Sequence, residues 1–490
     1  MKAPVLSSSS SPLADALSTR AWLALGAVLV VIAAYRWGVP LAAWIAPVPF
    51  LVVMRRAGRP GGRWRARLLV LAVLTVATTI QVGKIMTAPL PLALALPFAL
   101  PAALTGWVVL VATEAARRRA GELAAIAAYV GLTGLGEWVS YSYSPLGLWG
   151  SAASTQVDNL ALLQLASVAG VAGIGVVVAV VPAVTAMLLA APITRARLRA
   201  AVAAAALVGA VHAGGAVRLF AHQRGPTLRV AAVVTDVGLG ERGLPDAAAL
   251  AANEDVLFAR TQLAGERGAQ LIVWNEAATI VLPADEPRLI ARGQAAARAL
   301  GAELVLAYAV LEDDAPLRLD NKYVWLATDG AIVETYRKHH PVPSEPSIRG
   351  TAPLVAHDHP WGRAAGAICY DYDFPAVARA HGRLGADLVV VPSSDWRGID
   401  PFHTQIARIG AISGGFALVR SVRWATSAAF DAYGRTRATM AVDEQNDRVM
   451  LATIPVTRVP TIYAAVGDAP VVALCLALVA AVIVRARRRR

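Results

Sequence analysis

The residues best suited to chemistry in this chain stand at the ends of three short runs that read as strands. Glu276 closes "LIVWNE", Lys338 follows "IVETYR" and Cys369 closes "GAIC". Each has a plainer role when taken alone. A carboxylate at a strand end caps or pairs, a lysine in "YRKHH" is solvated, and an isolated cysteine behaves as a small buried hydrophobe. Together they form a set. A thiol becomes a strong nucleophile only when deprotonated, which a nearby carboxylate base brings about and a nearby ammonium favours. A lysine beside the attacked carbonyl also stabilises the negative oxygen of a tetrahedral intermediate. Glu276, Lys338 and Cys369 therefore read as base, electrostatic stabiliser and nucleophile, provided that the fold gathers them.

The segments that must do so alternate between β-branched runs such as "LRVAAVV" (Leu228 to Val234) and "ADLVVVPSSD" and helical stretches at Pro245–Arg267, Glu286–Leu300 and Pro401–Ser413. This pattern predicts an α/β domain whose strands are buried on both faces. "TDG" and "AYG" before new strands read as hairpin turns. In open α/β sheets, sites collect at the carboxyl ends of strands, which is where the three residues fall.

The rest of the chain is too apolar for an ordinary soluble protein. Of 490 residues, 57% are hydrophobic and 16% charged, and the mean hydropathy is +0.54. A membrane helix needs about 20 mostly apolar residues. Candidate spans are Ala21–Tyr35, Val39–Met54, Leu68–Met86, Leu90–Thr113, Glu122–Val139, Leu160–Ala190, Ala200–Val217 and Ala469–Val484. The first two are short and the second contains Pro47 and Pro49, so they read as a tilted or re-entrant pair. The net charge of +13 raises the question of nucleic acid. Seventeen arginines, at 55, 56, 59, 63, 65, 67, 117–119, 195, 197, 199, 485 and 487–490, lie in short links or the tail beside apolar runs, and alone exceed that charge. The basicity is thus a topology signal, with no nucleic-acid partner expected. A cytoplasmic amino terminus puts every such cluster inside and the polar domain outside. The expected division is a disordered cytoplasmic tail at 1–20, seven spans over 21–217, a catalytic domain at 218–468, and an eighth span with a basic cytoplasmic tail at 469–490. Cys475 lies within the last apolar run and Cys369 in the polar domain, so no disulfide framework is implied.

The order "VWNE", "YRKHHPVPSEP", "GAICYD" resembles the nitrilase, or carbon-nitrogen hydrolase, superfamily. Its Glu-Lys-Cys triad lies in an αββα sandwich that cleaves or transfers acyl groups through a thioester. The eight-span layout, with "PLGLWG" before span six and "TIYAAVGD" before span eight, further resembles the apolipoprotein N-acyltransferases. The resemblance implies a multi-pass α-helical membrane domain plus an extracytoplasmic α/β nitrilase-like αββα sandwich in a bacterial-type cytoplasmic (inner) membrane. It implies Glu276 as general base, Lys338 as oxyanion stabiliser and Cys369 as acyl-accepting nucleophile. Glu345 matches a second glutamate that holds the triad, Tyr370 and Asp371 the pair after the cysteine, and Trp396 an aromatic loop position near the lipid-facing mouth. The implied partners are the lipid bilayer, a phospholipid acyl donor and a diacylglyceryl lipoprotein acceptor, with no metal or organic cofactor.

Some positions depart from that branch. Asn275 stands where a proline usually precedes the base, Asp371 where glutamate is usual, and Gly410, Ser413, Arg423 and Ala425 replace the expected arginine, glutamate, asparagine and glycine. These departures favour a membrane-bound amidase with water as acceptor as the nearest rival. A non-enzymatic receptor or transporter with an inactive outer domain is the other.

Overall fold

The computed structural model describes residues 17–56, 63–221, 223, 225–235, 243–441 and 447–489. The expected tail at 1–20 lies outside the described residues as far as position 16, and the first helix begins at Thr19. Six of the described helices are long and apolar enough to cross a membrane: Arg63–Gly83, Leu92–Ala120, Glu122–Tyr143, Ala166–Leu189, Arg195–Phe220 and Ala469–Arg488. Thr19–Ala33 is apolar but shorter. The second expected span breaks into Pro40–Ile45 and Val48–Arg56. Pro47 and Pro49 lack the amide hydrogens an unbroken helix would use there. Every residue from Val48 to Met54 is buried, so this short helix is enclosed by its neighbours. The sixth expected span divides as well, into Leu160–Leu163 and Ala166–Leu189. Within the longer piece, Gly170 has φ +62°, and a Cβ there would lie 2.3 Å from Cε2 of Tyr463. Only a glycine lets that helix approach so closely.

The helix Arg195–Phe220 leads directly into the α/β domain. One sheet contains β1 (Thr227–Val233), β2 (Leu271–Trp274), β3 (Ile280–Val281), β4 (Glu303–Asp314), β5 (Leu317–Leu326) and β6 (Ile332–Arg337). The second contains β7 (His357–His359), β8 (Gly362–Gly366), β9 (Leu388–Val390), β11 (Ala417–Arg420), β13 (Ser427–Phe430) and β14 (Thr436–Met440). The two-residue strands β10 (Ser393–Ser394) and β12 (Val422–Arg423) pair beyond the ends of β9 and β11. β15 (Val449–Pro455) returns beside β1, giving the orders β15-β1-β2-β4-β5-β6, with β3 on β4, and β14-β13-β11-β9-β8-β7. The pairs β1–β2, β2–β4, β8–β9 and β9–β11 are parallel. Both expected hairpins form, β5–β6 around "TDG" and β13–β14 around "AYG".

Alternation along β1 explains the layers. Leu228, Val230 and Ala232 pack between the sheets, whereas Ala231 and Val233 face the outer helices Ala247–Glu266 and Glu286–Leu300. Helices Pro375–Arg383 and Phe402–Gly414 cover the other sheet, completing an αββα sandwich. The second of these helices has two buried faces. Ala407 and Ala411 meet the sheet, and Phe402, Ile406, Ile409 and Ile412 pack into the membrane domain against residues such as Leu148, Leu163 and Ile174. Its His403, Thr404 and Ser413 side chains are buried as well.

Candidate active site

The chemistry-bearing residues follow the carboxyl ends of strands from both sheets. Glu276 stands two residues after β2, Lys338 directly after β6, and Cys369 three residues after β8, at the start of a tight turn over Cys369–Asp373. All three are nearly inaccessible, at 3%, 2% and 3% exposure. Lys338 Nζ donates to Glu276 Oε1 at 2.8 Å and to Glu345 Oε2 at 2.7 Å. Asn321 Nδ2 donates to the same Glu276 oxygen at 2.7 Å and to Glu345 Oε1 at 3.2 Å. Glu345 further accepts from Ser347 Oγ at 2.6 Å and from the Val342 amide at 2.8 Å. Oε1 of Glu276 is thus engaged twice, which leaves Oε2 as the oxygen suited to receive a proton.

The electrostatics follow from burial and these partners. Burial alone would lower the Lys338 ammonium, but the carboxylates of Glu276 and Glu345 raise it well above the ordinary lysine value. Burial would raise Glu345, and Lys338 and its other donors hold it below the usual range instead. The Cys369 thiol is driven well up by burial and by Glu276, against the opposing effects of Lys338 and Arg420. A resting thiol in this setting keeps its proton until a base removes it.

The turn that presents Cys369 is held from both sides. Its backbone has φ +47°, a left-handed conformation costly for a residue with a side chain, and its amide donates to the Pro392 carbonyl at 2.9 Å. Asp371, fully buried, accepts at Oδ2 from the Ile368 amide at 3.0 Å and the Tyr336 hydroxyl at 2.9 Å. Its Oδ1 accepts from the His340 amide at 2.7 Å and meets His340 Nδ1 at 2.9 Å. Burial would raise this carboxyl, but its hydrogen bonds and His340 lower it. Asp371 therefore ties the cysteine turn to the lysine loop and has no lone pair facing the site. Tyr370 turns the other way and donates its hydroxyl to the Pro145 carbonyl in the membrane domain. Trp396 is half-buried; its Nε1 donates to the Ile85 carbonyl at 2.6 Å, and its ring stacks on Trp149 at 5.9 Å. Two membrane-domain loops thus close directly over the site.

The sequence reading missed the other side of the thiol. Cys369 Sγ lies 3.8 Å from the Ser394 carbonyl and 3.8 Å from Asp395 Oδ1. Arg420, fully buried at the end of β11, grips Asp395 through Nη1–Oδ2 at 2.9 Å and Nη2–Oδ1 at 3.0 Å. Its companion is His403, 2.8 Å from Asp395. The available signal was position: Asp395 directly follows β10 and Arg420 is the last residue of β11. Cys369, Asp395 and His403 have donor atoms within 4.8 Å of one another, close enough to bracket a metal ion. Both His403 nitrogens face carboxylates and the Arg420 guanidinium covers Asp395, so the donors are already engaged in an ion-paired cluster. Arg423, one of the departures, is buried as well, and its Nη2 donates to Ser394 Oγ at 2.5 Å.

Residues 229–463 match the carbon-nitrogen hydrolase family, and residues 26–184 match the apolipoprotein N-acyltransferase N-terminal domain. The apolipoprotein N-acyltransferase of Bradyrhizobium diazoefficiens is 30% identical over 346 residues, 61% of each chain. That of Shewanella oneidensis is 34% identical over 132 residues, 26% of this chain and 25% of its own. An amidase from Nesterenkonia sp. aligns with a TM-score of 0.40 at 19% identity, covering 51% of this chain and 96% of its own. The chain thus spans under two thirds of the length of the curated relatives it matches. A helical membrane domain joined to a carbon-nitrogen hydrolase sandwich is the class these features define. With the two domain matches in tandem, the chain is similar over most of its length to the apolipoprotein N-acyltransferases.

Proposed function

We propose that this protein moves an acyl chain from a membrane phospholipid, through a thioester on Cys369, to the amino-terminal amine of diacylglyceryl-cysteine lipoproteins. The observation that carries the reading is the buried Lys338–Glu276–Glu345 cluster in the same site as the buried Cys369 thiol, flanked by loops of a membrane domain. Glu276 takes the thiol proton at its uncommitted oxygen while sulfur attacks the ester carbonyl. Lys338 neutralises the developing oxyanion. As the tetrahedral intermediate collapses, the carbon–oxygen bond breaks, and Glu276 returns the proton to the departing lysophospholipid. In the second half, the lipoprotein amine attacks the thioester and gives its proton to Glu276. The carbon–sulfur bond breaks, and the sulfur recovers a proton from Glu276.

The membrane domain suits this scheme. Withdrawing an acyl chain from the bilayer costs about 0.8 kcal/mol per methylene, so a site roofed by membrane-domain loops keeps both chains in lipid. A roofed site also keeps water from the thioester. The arginine distribution supports a catalytic domain on the extracytoplasmic side of a bacterial inner membrane. Purified protein given a phospholipid with a labelled acyl chain and an amine-bearing diacylglyceryl lipopeptide is expected to yield N-acylated peptide and lysophospholipid. Arg423 beside Ser394, where the acyltransferases usually have asparagine, is the observation favouring an amidase instead. Release of free fatty acid with no N-acylated peptide would establish that second reading.

A further inference from the structure

We propose that His403 is a positioning residue: an imidazolium that, between Asp373 and Asp395, links the membrane-domain loop to the Cys369 thiol and confines the thiol proton to Glu276. This deepens the reading of Cys369 as nucleophile and rests on it. His403 Nδ1 is 2.8 Å from Asp395 Oδ1, and Nε2 is 2.9 Å from Asp373 Oδ2. An ionised carboxylate only accepts, so a carboxylate at each ring nitrogen favours the doubly protonated ring; Arg420 Nη2 also lies 2.8 Å from Nδ1, and it donates to Asp395 Oδ1 at 3.0 Å. Asp373 continues the chain outward. Its Oδ2 accepts from Trp149 Nε1 at 3.0 Å, its carbonyl accepts from the Leu148 amide at 2.8 Å, and the Trp149 ring lies 5.4 Å from the His403 ring. Inward, Asp395 Oδ1 is 3.8 Å from Cys369 Sγ.

The charges facing this line are two carboxylates, Asp373 and Asp395, and two cations, His403 and Arg420, which sum to zero. Across the thiol stand Glu276, Lys338 and, behind them, Glu345. Without the imidazolium, Asp395 would retain Arg420 alone and Asp373 would have no cation, leaving surplus negative charge beneath the sulfur. Such a charge disfavours the thiolate. With His403 and Arg420 both donating to it, Asp395 stays ionised but has little remaining basicity, so the proton leaves towards Glu276. Asp373 is itself two residues beyond the tyrosine-aspartate pair in "CYDYDFP". The membrane loop thus reaches the reacting sulfur through one aspartate, one histidine and a second aspartate.

The test reads the thiol itself and needs no acyl substrate. Full-length protein in detergent is treated with hydroxylamine to strip any thioester, then alkylated with iodoacetamide across a pH series, and the Cys369 peptide is followed by mass spectrometry. In His403→Gln alkylation is expected to be roughly tenfold slower than in wild type at each pH from about 6.5 to 8, where the wild-type imidazolium is charged. Adding Asp395→Asn removes the surplus charge and is expected to bring the alkylation rate at those pH values back towards wild type. A purely structural histidine would not produce that return. A His403→Gln profile superimposable on wild type, or a double variant no nearer to wild type than the single one, overturns the proposal. If the single variant does not fold, nitrogen-15 spectra of wild-type histidines decide: one of the eight imidazoles must remain doubly protonated at pH 8, and finding none overturns the proposal. Loss of acyl transfer from phospholipid with the alkylation shift intact would instead remove the proposed function and leave this inference standing.

Discussion

At the scale of single residues, the account assigns separable roles that substitutions can distinguish. Cys369→Ser is expected to abolish acyl transfer while the protein still folds, because a hydroxyl fills the same buried space without thiolate nucleophilicity. Normal N-acylation by that variant would refute the nucleophile. Glu276→Gln keeps the bond from Lys338 but loses the base, and a fall in the acylation rate of about 10²–10⁴-fold is expected in single-turnover assays. Lys338→Ala leaves two carboxylates buried without their shared cation, and a loss of about 3–5 kcal/mol is expected by denaturant titration. Acid and alkali should both weaken the fold, for different groups. Asp373 and Asp395 overcome burial to raise His403 from 6.5 to about 9, so its stabilisation is complete below pH 6.5 and lost as pH rises through about 9. Glu345 and Asp371 are held below ordinary values, so their contribution is present above the normal carboxylate range and lost as pH falls through their folded values. Melting temperatures across a pH series should form a plateau between these limits, and a profile flat into alkali would contradict the charged His403. The strand-end positions of Glu276, Lys338 and Cys369 were legible because each follows a run that reads as a strand. Asp371 was legible only as a position after the cysteine. Its work of binding Ile368, Tyr336 and His340 arises from tertiary contacts that no local pattern encodes.

At the scale of elements, the loops and one helix join the two domains. Gly147 has φ +54°, and a Cβ there would sit 2.4 Å from the Asp373 carbonyl. Gly147→Ala should therefore lift the "PLGLWG" loop from the cysteine turn and slow acyl transfer while leaving the spans intact, measurable as lost activity with unchanged membrane extraction. Ile406 is wholly buried in the apolar cluster between the Phe402–Gly414 helix and the membrane domain. Ile406→Ala is expected to cost about 2–5 kcal/mol by the cavity it leaves. The helix Glu286–Leu300 carries the bounds expected from its sequence, since a proline at its start and Gly301 at its end mark both termini. The strand alternation and both hairpins were equally readable. The break at Pro47 was signalled by its prolines, but the kink at Gly170 depends on Tyr463, nearly 300 positions away in the sequence. Burial of both faces of Phe402–Gly414 was hidden too, because amphipathic periodicity assumes one face is wet.

At the scale of the whole molecule, the fold places an αββα sandwich against a membrane bundle, and the proposed orientation follows from the arginines. Single cysteines introduced at Asp329, in an exposed hairpin turn, and at Arg488, in the last helix, should react differently with a membrane-impermeant maleimide. The first should label in intact cells and the second only after permeabilisation; the reverse pattern would invert the topology. The lipid-facing surface was legible from apolar length alone, whereas the closure of two membrane loops over the thiol was not, since it rests on single contacts such as Trp396 to Ile85. The central claim is that a membrane-held thiol carries an acyl chain between two lipid substrates. Mass spectrometry of the protein taken directly from membranes tests it most directly. The account predicts a fatty-acyl mass on the Cys369 peptide that hydroxylamine removes and that disappears when lipopeptide acceptor is added. A Cys369 peptide that stays unmodified in the presence of phospholipid would contradict it.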